Sequence, residues 1–342
     1  MKLRLALLAA LAAPLTFAMA GGALAHNPLD PPEVDAHVDA ATRLARKDLA
    51  QSLFFCEADP RAKVLASLKR IGEWIEPTRI FDNLSYVGNQ FVGVYALETD
   101  GGVILFDSGT SVDEAENHIA PGLRKLGIDP KDIRYIVVTH GHWDHFGGAL
   151  WFQQQYGTPV GLSENDWQMI ERQEGTPVLN GRPIPKRDRV ITDGQVLKVG
   201  STSVSLYITP GHTPGTVSAI FPIRQGGRQH IVSLLGSTAL PDTVEPTAIT
   251  GGLERYRDSI DRFAKLSRAA KADILLNTHL FAFGGVERLD KARATRNPAV
   301  RGNSFVIGPQ RIGAFYGLMD HCMQAAEGRI RAKATSAAPH AH

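Results

Sequence analysis

The chain has 342 residues, of which 43% are hydrophobic and 21% are charged, a composition typical of a folded globular protein with one or two domains. Its 37 Lys and Arg residues nearly balance its 35 Asp and Glu residues. A protein that binds nucleic acid needs a basic surface, so this balance argues against a nucleic-acid partner.

The first 25 residues have the features of a secretory signal peptide. Lys2 and Arg4 precede an apolar run up to about residue 20, and Ala23-Leu24-Ala25 is a small-x-small cleavage site. A membrane anchor is the alternative, but Pro14 interrupts the run, which is short for a span of about 20 residues. We therefore expect residues 1–25 to be removed, leaving a periplasmic or secreted chain of zero formal net charge that has no membrane partner.

Residues 26–77 are predicted to form an amino-terminal helical extension. Apolar residues recur in it at roughly helical spacing, and these are Val38, Ala41, Leu44, Leu49 and Leu53. We expect this apolar face to cover the main domain. A lid over the substrate is the alternative.

The sequence has two cysteines, Cys56 near the start of the mature chain and Cys322 near its end. In an oxidising compartment the pair can form one disulfide that closes a very long loop. Two separate buried thiols are an equally good interpretation.

Strands and helices alternate in two similar halves, which indicates one α/β domain over residues 78–333. In the first half we predict strands at 91–98, 103–106 and 135–139 and helices at 112–126 and 149–156. In the second half we predict strands at 204–209, 216–222 and 231–235 and helices at 253–269 and 313–333. The tail, residues 334–342, is rich in small residues and is predicted to be disordered.

Four side chains able to bind metal lie within the run His140-Gly141-His142-Trp143-Asp144-His145. A predicted strand precedes the run and Gly147-Gly148 allows a tight turn after it, so a histidine-rich surface loop is the weaker interpretation. Alternate side chains of an extended segment point the same way. The first two histidines can thus reach one metal ion while Asp144 and His145, beyond the bend, reach a second. Imidazole and carboxylate donors with no cysteine nearby favour zinc.

Other loops carry further donors. Asp107 follows the predicted strand in Val103-Ile104-Leu105-Phe106-Asp107-Ser108-Gly109, His212 lies in Pro210-Gly211-His212-Thr213-Pro214-Gly215, and His279 ends Asn277-Thr278-His279. Together with the His-x-His-x-Asp-His run, these segments resemble the metallo-β-lactamase superfamily over about residues 78–325.

The resemblance implies an αββα sandwich, with two mixed sheets flanked by helices, and two zinc ions per chain. His140, His142 and His212 would bind the first zinc, and Asp144, His145 and His279 the second. Asp107 would hold the ligands in place without binding zinc itself, and a simple turn aspartate is the alternative interpretation.

The sequence departs from the family pattern at Gly236-Ser237, where many hydrolases of the superfamily have a metal-bridging aspartate. A serine hydroxyl is a poor zinc ligand at neutral pH. A second site made of two histidines and Asp144, with serine at position 237, is similar to that of the third subclass of metallo-β-lactamases. Asp144 and Ser237 are then the predicted catalytic residues, with Ser237 contacting a water or the substrate.

The predicted function is hydrolysis of the amide of β-lactam antibiotics by a metal-bound hydroxide, an activity that confers antibiotic resistance. The alternative is a related binuclear metallohydrolase acting on a lactone, ester, organophosphate or thioester. A zinc-binding protein without turnover is a third interpretation. The expected partner is a small-molecule substrate, and no oligomeric state is predicted. An anionic substrate would meet Arg182 or Lys186 in the loop at residues 175–187, and a solvated turn is the alternative interpretation of that loop.

Overall fold

Two facing β-sheets form the centre of the molecule, in a computed structural model that describes residues 27–59, 61–237, 246–294 and 302–337. The predicted signal peptide and the last part of the predicted tail, residues 338–342, lie outside the described residues. The described part contains no helix with both the length and the apolar composition needed to cross a bilayer.

The first sheet contains seven strands in chain order. They are β1 (Trp74–Phe81), β2 (Leu84–Asn89), β3 (Gly93–Thr99), β4 (Gly102–Phe106), β5 (Ile133–Val137), β6 (Val160–Ser163) and β7 (Arg189–Ile191). Strands β1 to β4 are antiparallel, and β4 to β7 are parallel. The carboxyl ends of β4, β5 and β6 therefore meet at one edge of the sheet.

The second sheet contains five strands in the order β12, β11, β10, β9, β8. They are β8 (Val196–Val199), β9 (Thr202–Ile208), β10 (Val217–Gln225), β11 (Arg228–Leu235) and β12 (Ile274–Asn277). Only β11 and β12 are parallel.

Helices cover the outer faces of both sheets. In the described part they are α1 (Pro32–Ala45), α2 (Arg61–Leu68), α3 (Val112–Glu114), α4 (Ala120–Lys125), α5 (Trp143–Phe146), α6 (Ala149–Tyr156), α7 (Glu164–Gln173), α8 (Pro246–Ala269), α9 (Gly285–Ala294) and α10 (Pro309–Ala337). The predicted αββα sandwich is thus confirmed.

The core has two layers. Side chains along β4 point alternately into one layer and the other. Ile104 and Phe106 belong to the core between the sheets, where Phe106 stacks on Phe221 of β10 with 4.8 Å between ring centroids. Val103 and Leu105 point to the other face and pack under the helices that follow β4 to β6.

Three boundaries differ from the prediction. The helix expected over 112–126 is interrupted by a π-helical segment, Ala115–Ile119, just before Pro121, which has no backbone N–H to donate to the preceding turn. Helix α10 continues through Ala337, so residues 334–337 are helical and not disordered. Strand β1 begins at Trp74, before the boundary set at residue 78.

The amino-terminal extension packs on α10, as its apolar face predicts. Val38 and Ala41 are buried in this contact, and Arg329 of α10 forms an ion pair with Asp30 at 2.7 Å. A disulfide joins Cys56 to Cys322 across 266 residues of sequence. The structure therefore decides between the two interpretations of the cysteines in favour of the bond.

Replacing both cysteines, as Cys56→Ala and Cys322→Ala together, should lower the free energy of unfolding by about 3 to 5 kcal/mol, because the unfolded chain regains the entropy of a very long open loop. Chemical denaturation of both proteins measures this, and the wild type in strong reductant should match the double variant. Equal midpoints for the oxidised wild type and the double variant would contradict the expectation.

Candidate metal centre

The His140–His145 run lies where β5 leaves the first sheet, at the edge where β4 and β6 also end. Two contacts fix it against the turn after β4. The backbone N–H of Ser108 donates to the carbonyl oxygen of His145 at 2.8 Å, and the N–H of Gly147 donates to that of Gly109 at 3.0 Å. The run thus bends sharply into α5, and the bend separates its first two histidines from Asp144 and His145.

The first cluster consists of His140, His142 and His212, whose ligand atoms lie within 4.8 Å of one another. The Nδ1 atom of His140 lies 2.9 Å from the carbonyl oxygen of Gly236, which fixes the ring and directs Nε2 away from that carbonyl. Nε2 of His140 and Nδ1 of His212 are buried and have no hydrogen-bond partner in the described part of the chain. Because such atoms are costly to leave unpaired, they fit the role of ligands to a metal ion.

The second cluster consists of Asp144, His145 and His279. Nε2 of His145 lies 3.2 Å from Nε2 of His279, and Oδ2 of Asp144 lies 3.3 Å and 3.4 Å from these two nitrogens. Two ligands bound tetrahedrally to one zinc lie about 3.3 Å apart, given bonds of about 2.0 to 2.1 Å. The three donor atoms therefore have the mutual spacing that one zinc ion requires.

Hydrogen bonds to the other ring nitrogens orient both histidines of the second cluster. Nδ1 of His279 lies 3.0 Å from the carbonyl oxygen of Phe91, and Nδ1 of His145 lies 2.6 Å from Oδ2 of Asp107. The Nε2 atom of each of these two rings therefore faces the other donor atoms of the second cluster. This is the arrangement that metal-binding histidines usually adopt.

Asp107 has a left-handed backbone, with φ of 65°, which is uncommon for a residue other than glycine. Its buried carboxylate also accepts hydrogen bonds from the backbone N–H of Thr139 at 2.7 Å and from the Thr139 hydroxyl at 3.0 Å. These bonds stabilise a strained turn that places the carboxylate under His145. The predicted supporting position of Asp107 matches this geometry.

The two clusters differ in their affinity for protons. Burial and the neighbouring histidines hold the pKa values of His140 and His212 well below the usual range. Burial also lowers the pKa of His279, to about 4. In contrast, burial opposes a charge on His145, but Asp144 and Asp107 overcome it and raise its pKa to about 10. The same contact with His145 holds the pKa of Asp144 below its usual range, although burial raises it.

Ser237, which we predict to contact a water or the substrate, makes a hydrogen bond within the protein. Its side chain is fully buried, and its hydroxyl lies 2.9 Å from the hydroxyl of Tyr256 on α8. The ring of Tyr256 packs so closely on Gly211 that a Cβ at Gly211 would lie 2.4 Å from the Cβ of Tyr256. Ser237 therefore supports the loop of His212 through Tyr256, which packs on that loop.

The loop at residues 175–187 lies beside the run. The guanidinium of Arg182 stacks 4.2 Å above the ring of Trp143, between His142 and Asp144 in sequence. The backbone N–H of Lys186 donates to Gln153 at 2.9 Å. Arg182, one of the two cations expected to meet an anionic substrate, thus contacts the His140–His145 run.

Sequence reasoning missed several supporting groups. The carbonyl oxygens of Phe91 and Gly236 belong to the backbone and carry no residue-type preference. Asp166, a buried carboxylate in the first turn of α7, hydrogen-bonds the backbone N–H of Gly141. Only the helix-capping pattern Ser163-Glu164-Asn165-Asp166 points to its position, and that pattern predicts no role.

Comparison with known proteins places this site in a family. Residues 87–225 match the sequence model of the metallo-beta-lactamase superfamily. The fold supports the match, since the chain superposes with a TM-score of 0.66 on BJP-1, a subclass B3 metallo-beta-lactamase of Bradyrhizobium japonicum, at 26% identity over 78% of this chain and 99% of that one. The native FEZ-1 metallo-beta-lactamase from Legionella gormanii has the same fold, with a TM-score of 0.61 at 22% identity over 77% of this chain and 97% of that one. Residues 87–225 therefore form a metallo-beta-lactamase superfamily domain.

Curated relatives include a lactonase and a probable metallo-hydrolase. An N-acyl homoserine lactonase from Bacillus sp is 29% identical over 157 residues, which are 40% of this chain and 60% of that protein. The probable metallo-hydrolase YqgX of Bacillus subtilis (strain 168) is 28% identical over 136 residues, which are 39% of this chain and 61% of that protein. The chain thus matches about three fifths of the length of these relatives.

Metal binding at the second cluster should release a proton from His145, because Asp144 and Asp107 keep that ring protonated up to about pH 10. The affinity of this cluster should therefore fall about tenfold for each pH unit below that value. His140 and His212 are already neutral near pH 7 and should release none. Zinc calorimetry in two buffers with different ionisation enthalpies measures the protons released. His279→Ala, which keeps the first cluster, is the control, and equal release with and without His279 would contradict the expectation.

Proposed function

We propose that the two clusters hold two zinc ions and that the protein hydrolyses the amide of β-lactams. The observation that carries the proposal is the position of the clusters. They are two sets of three donors that share one bent run, with the rings of His140 and His145 only 3.8 Å apart between centroids. Two adjacent metal ions suit hydrolysis better than storage or scaffolding.

The donor set supports zinc at both positions, because five imidazoles and one carboxylate, with no cysteine among them, are borderline ligands. When bound, zinc lowers the pKa of water and polarises carbonyl groups.

The chain's own residues would orient and hold the reacting groups. His140, His142 and His212 would hold one ion, and Asp144, His145 and His279 the other. The pKa of Asp144 lies below its usual range, so this carboxylate is available as a charged ligand at neutral pH. Asp107 keeps His145 oriented through its hydrogen bond to Nδ1. Ser237 supports the His212 loop through Tyr256, and we assign it no contact with the substrate.

Two observations favour a β-lactam as substrate. The likeness to BJP-1 covers nearly all of that subclass B3 enzyme. In addition, the guanidinium of Arg182 beside Trp143 offers a positive charge next to the run, and the carboxylate of a penicillin or carbapenem is a complementary anion.

A lactone is the second candidate, since curated relatives include N-acyl homoserine lactonases. Such a lactone carries no carboxylate, so a charge at Arg182 would contribute little to its binding. Fold alone does not choose between the two substrates.

Purified protein loaded with zinc should open a carbapenem or a cephalosporin with kcat/KM of about 10⁴ M⁻¹s⁻¹ or more, followed by absorbance. His142→Ala should abolish this activity, and Arg182→Gln should raise KM for the lactam more than it lowers kcat. Turnover of an acyl homoserine lactone without turnover of any lactam would favour the second candidate. A protein with two zinc ions and no activity on either class would refute both.

We also propose that the protein is exported to the periplasm, with residues 1–25 as its signal peptide. The disulfide between Cys56 and Cys322 supports an oxidising compartment. On expression of the full chain in a Gram-negative host, the periplasmic fraction should contain a product whose mass corresponds to a start at His26. An uncleaved product confined to the cytoplasm would refute the proposal.

A further inference from the structure

Another buried carboxylate lies under the two loops that form the first cluster. Asp166 has no solvent exposure, and its Oδ2 atom accepts hydrogen bonds from the backbone N–H of Gly141 at 2.8 Å and from the hydroxyl of Thr213 at 2.7 Å. Gly141 lies between His140 and His142, and Thr213 follows His212. A single oxygen atom therefore joins two loops that are about 70 residues apart in the sequence.

The start of α7 presents this carboxylate to both loops. Ser163 at the end of β6 caps the helix by accepting a hydrogen bond from the N–H of Asp166 at 3.3 Å, which places Asp166 in the first turn. The loops approach so closely that a Cβ at Gly141 would lie 2.7 Å from Met169, and a Cβ at Gly215 would lie 1.8 Å from the Ser163 hydroxyl. Both loops thus pack against α7 with their backbones.

Asp166 and Asp107 support the same run from different elements. Asp107, after β4, hydrogen-bonds the N–H of Thr139 and the ring of His145 in the second cluster. Asp166, on α7, hydrogen-bonds groups next to the three histidines of the first cluster and contacts none of their rings through these bonds. Its effect on the cluster is therefore exerted through the backbone of the two loops.

We infer that Asp166 is the positioning residue of the first cluster, where it sets the separation of His212 from His140 and His142 and thereby the metal affinity. This inference rests on the proposed metal centre and is independent of the substrate. It requires the acceptor oxygen of Asp166 more than its charge, because both groups that it binds are neutral donors.

Variants that lack one histidine ligand allow the zinc affinity of each cluster to be measured separately. In a His279→Ala background only the first cluster keeps three ligands, and in a His212→Ala background only the second does. Asp166→Ala should weaken zinc binding about tenfold or more in the first background and by less than about twofold in the second, measured by competition with a chromophoric chelator. Asp166→Asn keeps an oxygen that can accept both hydrogen bonds and should restore most of the affinity.

Three further variants serve as controls that distinguish a local effect on the first cluster from a general loss of structure. Asp273→Asn alters a carboxylate that pairs with His230 at 2.6 Å at the opposite end of β11, and it should leave both affinities unchanged. Thr213→Val removes one of the two hydrogen bonds at nearly constant volume and should give a smaller loss than Asp166→Ala, at the first cluster only. Asp107→Asn should show the reverse pattern, with the loss at the second cluster.

The outcomes are distinct. Equal losses at both clusters from Asp166→Ala, or an Asn variant as weak as the Ala variant, would overturn the inference. If Asp166→Ala does not fold, an undiminished first-cluster affinity in Thr213→Val would overturn it. A wild-type protein that binds zinc at neither cluster would refute the proposed function itself, a result that no difference between the variants can imitate.

Discussion

The metal centre depends on holding several buried imidazole rings within contact distance of one another with their metal-facing nitrogens turned toward the cluster. Unrestrained rings would turn those nitrogens to backbone groups instead. The protein prevents this by occupying the opposite nitrogen in three rings, with the carbonyl oxygens of Gly236 and Phe91 and the carboxylate of Asp107. The strained turn at Asp107 and the close packing of the loops on α7 and α8 follow from this requirement.

Much of the candidate site could be predicted because its donors lie in short segments with recognisable spacing. His140, His142, Asp144 and His145 fall within six residues. The structure also brings His212 and His279 to them from distant loops, as the resemblance implied. The supporting groups were harder to predict, since a carbonyl oxygen can belong to any residue and Asp166 resembles an ordinary helix-start aspartate. For Ser237 the sequence shows the residue type but not the tyrosine that occupies its hydroxyl.

The fold was predictable to a similar degree. Long strands with strong apolar patterns, such as β10 and β11, were found within a few residues of their ends. Strands β6, β7, β8 and β12 were missed because three or four residues hold too few alternations to reveal a period. In addition, β7 and β8 expose side chains on the sheet edges. These strands exist because neighbouring strands offer them hydrogen bonds, which is information that no local pattern contains.

The contact between the first and last helices has a consequence for how the chain matures. Helix α1 and the Ala50–Cys56 segment bury their apolar side chains against α10, which begins only at Pro309. During synthesis, which proceeds from the amino end, these segments remain without their partner until Pro309–Ala337 has emerged. Ser52 in the same segment donates to the carbonyl of Ala282, three residues after His279, and Phe54 packs on Phe281. Docking of α10, closure of the disulfide and fixing of the His279 loop are therefore late and mutually dependent events in folding.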